Sequence, residues 1–316
     1  MPGEEDQHAA GRAEPRPVAV VTDSSASLPD DIGSGASVTI VPLRVLAGDL
    51  MADDNDAALS ALLEAAARRS ERLTTARPVP GRFTAVYRAA ADGGAGAVLS
   101  VHLSGLLSGT LSSAALAAAS APVPVRVLDG GGIGTGLGLV VLAAMAAARA
   151  GRCLDEVAAT AAKRAEAVGS YFAVDEPDAL LAGGRIARDP GDPRDPSPAS
   201  VRAQERLVSR TVLRIRAGRI GIIERVRTRA AAIDLLVRLA TDLAVSMAAD
   251  GSAGPAVDVA VEHTSAPDRA AELADRLAAA IPYVGRLYVT ESSTAIRVHS
   301  GPGMVGVSLA PCAADG

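Results

Sequence analysis

Ser108 stands in the turn "HLSGLLSGT", His102 to Thr110, between the apolar run "AVLSV" and a stretch rich in Ala and Leu. Ser104, Ser108 and Thr110 place three hydroxyls there, and Gly105 and Gly109 two glycines, where a change of direction needs only one or two such residues. The surplus points to contact with a ligand. Two chemistries suit it: hydroxyls donating to an anionic group, or Ser108 acting as a nucleophile in a lipid or ester hydrolase. The second needs a base, which His102, His263 or His299 would have to supply, and "GLLSG" lacks the GxSxG frame of a hydrolase nucleophile elbow. His102, on an apolar strand, reads as a satisfied core residue.

Other segments carry similar residue types. In "VVTDSSASLP", Asp23, Ser24 and Ser25 end the first strand, where a carboxylate and hydroxyls either cap a turn or face a ligand crevice. "GGGIGTGLG" follows a strand and opens a helix, but from Gly132 to Gly138 its glycines fall at every second position, not in the GxGxxG spacing of a pyrophosphate site. Close packing against backbone or an apolar ligand explains them better. "VHSGPGMVG" sets His299 at a strand end beside a Gly/Pro turn, and "AGGRIA" sets Arg185 at a helix end, where a cation also favours the helix dipole. Cys153 and Cys312 have neither metal-ligand nor CxxC spacing, so no metal site and reduced thiols are expected.

These residues need elements to position them. From Pro17, strand-like "VAVVTD", "ASVTIVPLRVL", "AVLSVHL" and "VPVRVLD" alternate with helical "DAALSALLEAAARRS", "GRFTAVYRAAA", a helix from Ser108 and one from about Gly136. Such alternation predicts an α/β fold whose Rossmann-like parallel sheet binds ligands at the carboxyl ends of its strands. Beyond "SYFAVD", the run "RDPGDPRDPSPAS" can form neither a helix interior nor a central strand. A hairpin turning at Ala217 and Gly218 follows, then the helix "RAAAIDLLVRLATDLAVSMAA", the strand "AVDVAVEH", a further helix, and the paired strands "RLYVTES" and "AIRVHSGPGMVGVSLA". The expected organisation is a disordered tail (1–16), an α/β domain (17–170) and an α+β domain (171–316) with a Pro-rich loop at 187–205.

Composition narrows the partners. The chain has 316 residues, 49% of them hydrophobic and 21% charged, with a net charge of −5, which leaves no basic footprint for nucleic acid. Aromatic residues make up 2% and Trp is absent, so a ligand cavity must be lined by aliphatic side chains. The polar, acidic start lacks an apolar signal core, and a cytoplasmic location is expected.

Taken in order, "VAVVTDSSASLPDDI", "VTIVPLRV", "TARPVPGRF", "VLSVHLSGLLSGTLSSA", "VLDGGGIGTGLGLVVLAA", "FAVDEPDALLAGGRIA", "LRIRAGRIGIIERVRTR" and "VHSGPGMVGV" resemble the DegV family of fatty-acid-binding proteins over residues 17 to about 310. The resemblance implies a two-domain fold burying one long-chain fatty acid, with no other cofactor. The chain would then be the lipid-carrying, non-catalytic subunit that presents the carboxylate to a fatty acid kinase, in transient contact with membranes. It also implies ligand-facing roles for Thr75, Ser108 and His299, a role for Arg185 near the carboxylate or the kinase-facing surface, and a carboxylate cradle that takes in Asp23, Ser24, Gly109 and Thr110. Ala76 and Arg77 stand where the family has Ser and Gln, and Arg297 where glycine is usual.

Overall fold

The structure, a computed structural model, describes residues 17–29, 32, 38–54, 56–175, 180, 186, 210–249 and 256–312. Arg185, the tail 1–16 and the loop 187–205 lie outside the described residues.

The first half builds two sheets. β1 (Val18–Asp23) and β2 (Val38–Val41) pair in parallel, and they join β6 (Ala97–His102) and β7 (Val125–Asp129) in the order β2-β1-β6-β7. The central strands β1 and β6 are buried on both faces, as strands covered by helices on both sides are. On one side lie α2 (Pro80–Asp92) and α3 (Thr110–Ala118), which bury Phe83, Tyr87, Ala114 and Ala117 against Val21 and Val98. On the other, α4 (Thr135–Arg149) and α5 (Leu154–Ala167) bury Leu137, Val140, Val157 and Ala161 against Val20, Leu99 and Val101.

"VTIVPLRV" is not one strand. Pro42 has no N–H to give a ladder, and the chain leaves the parallel sheet there. β3 (Arg44–Ala47) instead forms a small antiparallel sheet with β4 (Leu50–Asp53) and β5 (Leu73–Ala76), backed by α1 (Ala58–Arg69).

A six-stranded sheet holds the rest. It runs β10 (Arg219–Val226), β9 (Arg210–Arg216), β8 (Gly169–Val174), β13 (Val305–Pro311), β11 (Val257–His263) and β12 (Val284–Glu291). All neighbours are antiparallel except β11 and β12. The β9–β10 hairpin turns through Ala217 and Gly218, both at positive φ, as the sequence predicts. One face of this sheet is covered by α6 (Arg229–Ala249) and α7 (Pro267–Ala280).

The expected pairing of "RLYVTES" with "AIRVHSGPGMVGVSLA" needs correction. β11 lies between β12 and β13, and Thr294–Ser300 forms a helix, α8. Ile296 and Val298 alternate as in a strand, but the backbone N–H groups of Ile296 and Arg297 bond back to the carbonyl of Ser293, and Gly301 ends the turn at φ +73. His299 is therefore a residue of a last helical turn.

Helix α4 lies between the two large sheets and is buried almost throughout. Its glycines let it enter: a Cβ on Gly138 would lie 2.8 Å from the backbone oxygen of Ser27. Among the described residues no helix is long and apolar enough to cross a membrane. Gly138→Ala adds helix propensity but forces this contact apart, so we expect a net loss of about 1–2 kcal/mol in urea denaturation. Stability equal to wild type would show that the helix is free to shift.

Candidate ligand-binding site

A cavity of about 320 Å³ opens where the ends of the parallel sheet, the small sheet, α8 and the six-stranded sheet converge. That volume is at the lower end of ligand pockets, about 300–1,000 Å³. Most of its wall is aliphatic, including Leu103, Leu107, Ile133, Ile215, Ile220 and Ile296, and Phe172 is its one aromatic residue among the described residues.

One part of the wall is polar. Thr75 Oγ1 on β5 lies 2.8 Å from His299 Nε2 on α8, a contact between residues 224 apart in sequence. Ser108 and Gly109 line the same cavity, beside Arg77. A Cβ on Gly109 would meet the exposed Arg77 side chain, which would have to shift to make room for it. Ser108 Oγ meets Thr110 Oγ1 at 2.9 Å and accepts the Thr110 N–H at 3.3 Å, where α3 begins. Thr75, Ser108, Gly109 and His299 are thus brought together.

Asp54 holds this arrangement in place. Its Oδ2 accepts the Ser24 hydroxyl at 2.7 Å, and its Oδ1 accepts the Ala295 N–H at 3.0 Å, which fixes the start of α8 from 241 residues away. Ser24 Oγ in turn accepts the Leu43 N–H at 3.0 Å. Burial pushes the Asp54 carboxyl above its ordinary value of 3.8, although the hydrogen bonds from Ser24 and Ala295 act the other way. Nothing in the acidic run "MADDND" singles out this residue.

Asp23, Ser24 and Thr110 do not line the cavity. Asp23 is fully buried: Oδ1 accepts the Ser25 hydroxyl at 2.5 Å and the Ser25 N–H at 3.1 Å, and Oδ2 accepts the Leu103 N–H at 3.1 Å. His102 Nδ1 lies 2.9 Å from the same Oδ2, and Ser100 Oγ lies 2.7 Å from His102 Nε2. Ser, His and Asp in this order imitate a catalytic triad, but all three are 0% exposed and the Tyr87 hydroxyl donates to Ser100 at 2.8 Å. Burial pushes that phenol up to about 12. The network is a core fastening between the ends of β1 and β6, as the reading of His102 anticipates. His263 Nδ1 is taken by the Ala266 N–H at 3.3 Å, so neither it nor His102 serves Ser108 as a base.

Ser300 and Glu262, polar residues of the wall, escaped the sequence reading, and of Asp23, Ser24 and Ser25 that reading does not say which one faces the cavity. Ser25, not its neighbours, reaches the wall, because the turn after β1 points Ser24 toward Asp54. Glu262 on β11 also lines the cavity, and the legible signal was a carboxylate inside the apolar strand "AVDVAVEH".

The chain is thus an α/β protein whose sheets converge on a largely aliphatic cavity with hydroxyls and a histidine along one part of its wall. The family model described as "Uncharacterised protein, DegV family" matches residues 17–191 and 205–312, and the chain belongs to the DegV family. A DegV domain-containing protein of Streptomyces coelicolor is 40% identical over 292 residues, covering 92% of this chain and 98% of that protein. A DegV family protein from Thermus thermophilus, described as fatty acid binding, superposes with a TM-score of 0.79 at 27% identity, over 94% of this chain and all of the other. DegV of Bacillus subtilis, also described as a fatty acid binding protein, does so with a TM-score of 0.76 at 25% identity, over 94% and 100%.

Burial pushes the Glu262 carboxyl above its ordinary 4.5, against the hydrogen bonds from Ser292 and Ser27. The folded state then holds a proton that the unfolded state has released, so this group's contribution to stability is full below 4.5 and is lost as pH rises through the folded value. Glu262→Gln removes that dependence. Denaturation at a series of pH values should show a flatter fall in stability above 4.5 for the variant, and parallel curves would contradict the assignment. Asp23→Ala should cost about 3–5 kcal/mol by stranding His102 and two backbone N–H groups, measured in the same way.

Proposed function

We propose that the chain binds one long-chain fatty acid in this cavity, between units spanning 17–170 and 171–316, and presents its carboxylate to the catalytic subunit of a fatty acid kinase. The observation that carries the reading is the Thr75–His299 contact on the wall of a largely aliphatic cavity. A carboxylate leaving water must meet donors or take up a proton. Thr75, Ser108 and His299 supply them, and Gly109 lets the backbone approach while Arg77 brings positive charge beside it.

The acyl chain supplies the affinity. Each buried methylene contributes about 0.8 kcal/mol, so some sixteen carbons give on the order of 10 kcal/mol before the entropy of binding is subtracted. Retention is therefore tight without any covalent bond. The sequence has no P-loop and no kinase signature, so the phosphoryl-transfer machinery belongs to the partner, and this chain is a carrier that makes transient contact with membranes and needs no cofactor besides its cargo. Arg185 contributes to the carboxylate or to the partner-facing surface, by its place in the family pattern "GGRIA". Asp23 and Ser24 support the site through Ser25 and Asp54, and Thr110 through Ser108.

Native mass spectrometry tests this directly. The purified protein should carry the mass of one long-chain fatty acid that denaturation removes; a protein that emerges empty and takes up neither oleate nor palmitate would sink the proposal. Thr75→Val combined with Ser108→Ala should weaken retention by about 2–3 kcal/mol, because the buried carboxylate loses two donors. Unchanged affinity would place the carboxylate elsewhere.

A further inference from the structure

Strand β11 is buried along its whole length and yet carries two carboxyls. Asp258 is matched by the guanidinium of Arg164 and takes the Cys312 thiol at 3.3 Å. Glu262 is served by hydroxyls: those of Ser27 and Ser292 both donate to Oε2, at 3.1 and 2.9 Å. No cation is among these partners. Glu262 is also the one acidic residue lining the cavity among the described residues.

Glycines make its niche. A Cβ on Gly134 would run into both Glu262 carboxyl oxygens, and one on Gly306 would lie 3.3 Å from Glu262 Cγ and 3.0 Å from Phe172 Cβ. The strand register sets Phe172, Gly306 and Glu262 in one row across β8, β13 and β11. Phe172 and Glu262 thus flank a gap in the sheet face that borders the cavity.

An unsubstituted acyl chain laid against this carboxyl would strip it of water and return no hydrogen bond, which costs free energy. A hydroxyl both donates and accepts, so it satisfies the carboxyl in either protonation state. We propose that Glu262 is a second polar contact in the cavity and selects a long-chain acid that carries a hydroxyl on its chain, at the depth of the Gly134–Gly306 niche. The inference rests on the fatty-acid reading above and adds the identity of the acyl chain. The upward push that burial exerts on the Glu262 carboxyl agrees with it, since the neutral acid can donate as well as accept.

The test is a competition between stearic acid and monohydroxystearic acids with the hydroxyl at successive carbons, read by native mass spectrometry of the full chain. Wild type should prefer a narrow set of positions over stearic acid by about tenfold, the ratio expected for one hydrogen bond to a buried carboxyl. Glu262→Met should bring that ratio to unity or below while stearic acid binds at least as well as before. Glu262→Gln, which keeps shape and hydrogen-bonding capacity, should retain part of the preference and serves if the methionine variant does not fold. Binding of stearic acid with no preference for any hydroxylated position, or a preference that survives both substitutions, would overturn the role of Glu262 and leave the fatty-acid reading standing. Failure of wild type to bind any of these acids would overturn both.

Discussion

A carboxylate can leave water only where donors are already in place, and the two groups proposed to receive one here, Thr75 and His299, come from segments 224 residues apart in the chain. Thr75 lies on the edge of a small sheet and His299 on a seven-residue helix. Neither element would hold its position alone. The Asp54 carboxyl joins them by accepting from Ser24 at the end of the parallel sheet and from Ala295 at the start of α8. The site is therefore a property of how the segments meet, and its polar wall is set by a partly buried acid that does not line the cavity.

The same logic governs α4. A helix buried between two sheets must have small residues wherever backbone or polar groups come near, and Gly134 and Gly138 meet a carboxyl and a carbonyl. The Thr135 hydroxyl lies 2.9 Å from that of Ser308 on β13, and Ser170 Oγ lies 2.8 Å from the same Ser308 Oγ, so hydroxyls, not charges, connect the helix to the second sheet. Tight backbone contact leaves little play between the halves of the fold. The cavity is thereby bounded by rigid elements on most sides.

The parallel sheet, its helices and the β9–β10 hairpin were legible because each rests on local pattern: β-branched runs, 3.6-residue periodicity, and two adjacent residues at positive φ. What escaped was set by neighbours remote in sequence. "VTIVPLRV" reads as one strand until Pro42 is seen to move the chain between sheets, and "AIRVHS" alternates like a strand although it folds as a helix capped by Asp54. Ser108 and His299 could be singled out by type, but that Thr75 meets His299 follows only from packing. Of the three residues Asp23, Ser24 and Ser25, their order alone does not tell which one faces the cavity.

The central claim is that the polar residues around Thr75 and His299 hold a fatty-acid carboxylate. It is tested most directly by loading the protein with palmitate labelled with carbon-13 at the carboxyl and following that resonance by NMR. The account predicts one sharp bound signal that moves on His299→Ala and on Thr75→Val. A bound signal that ignores both substitutions and shifts instead on Glu262→Gln would place the head group at the opposite partner and contradict it.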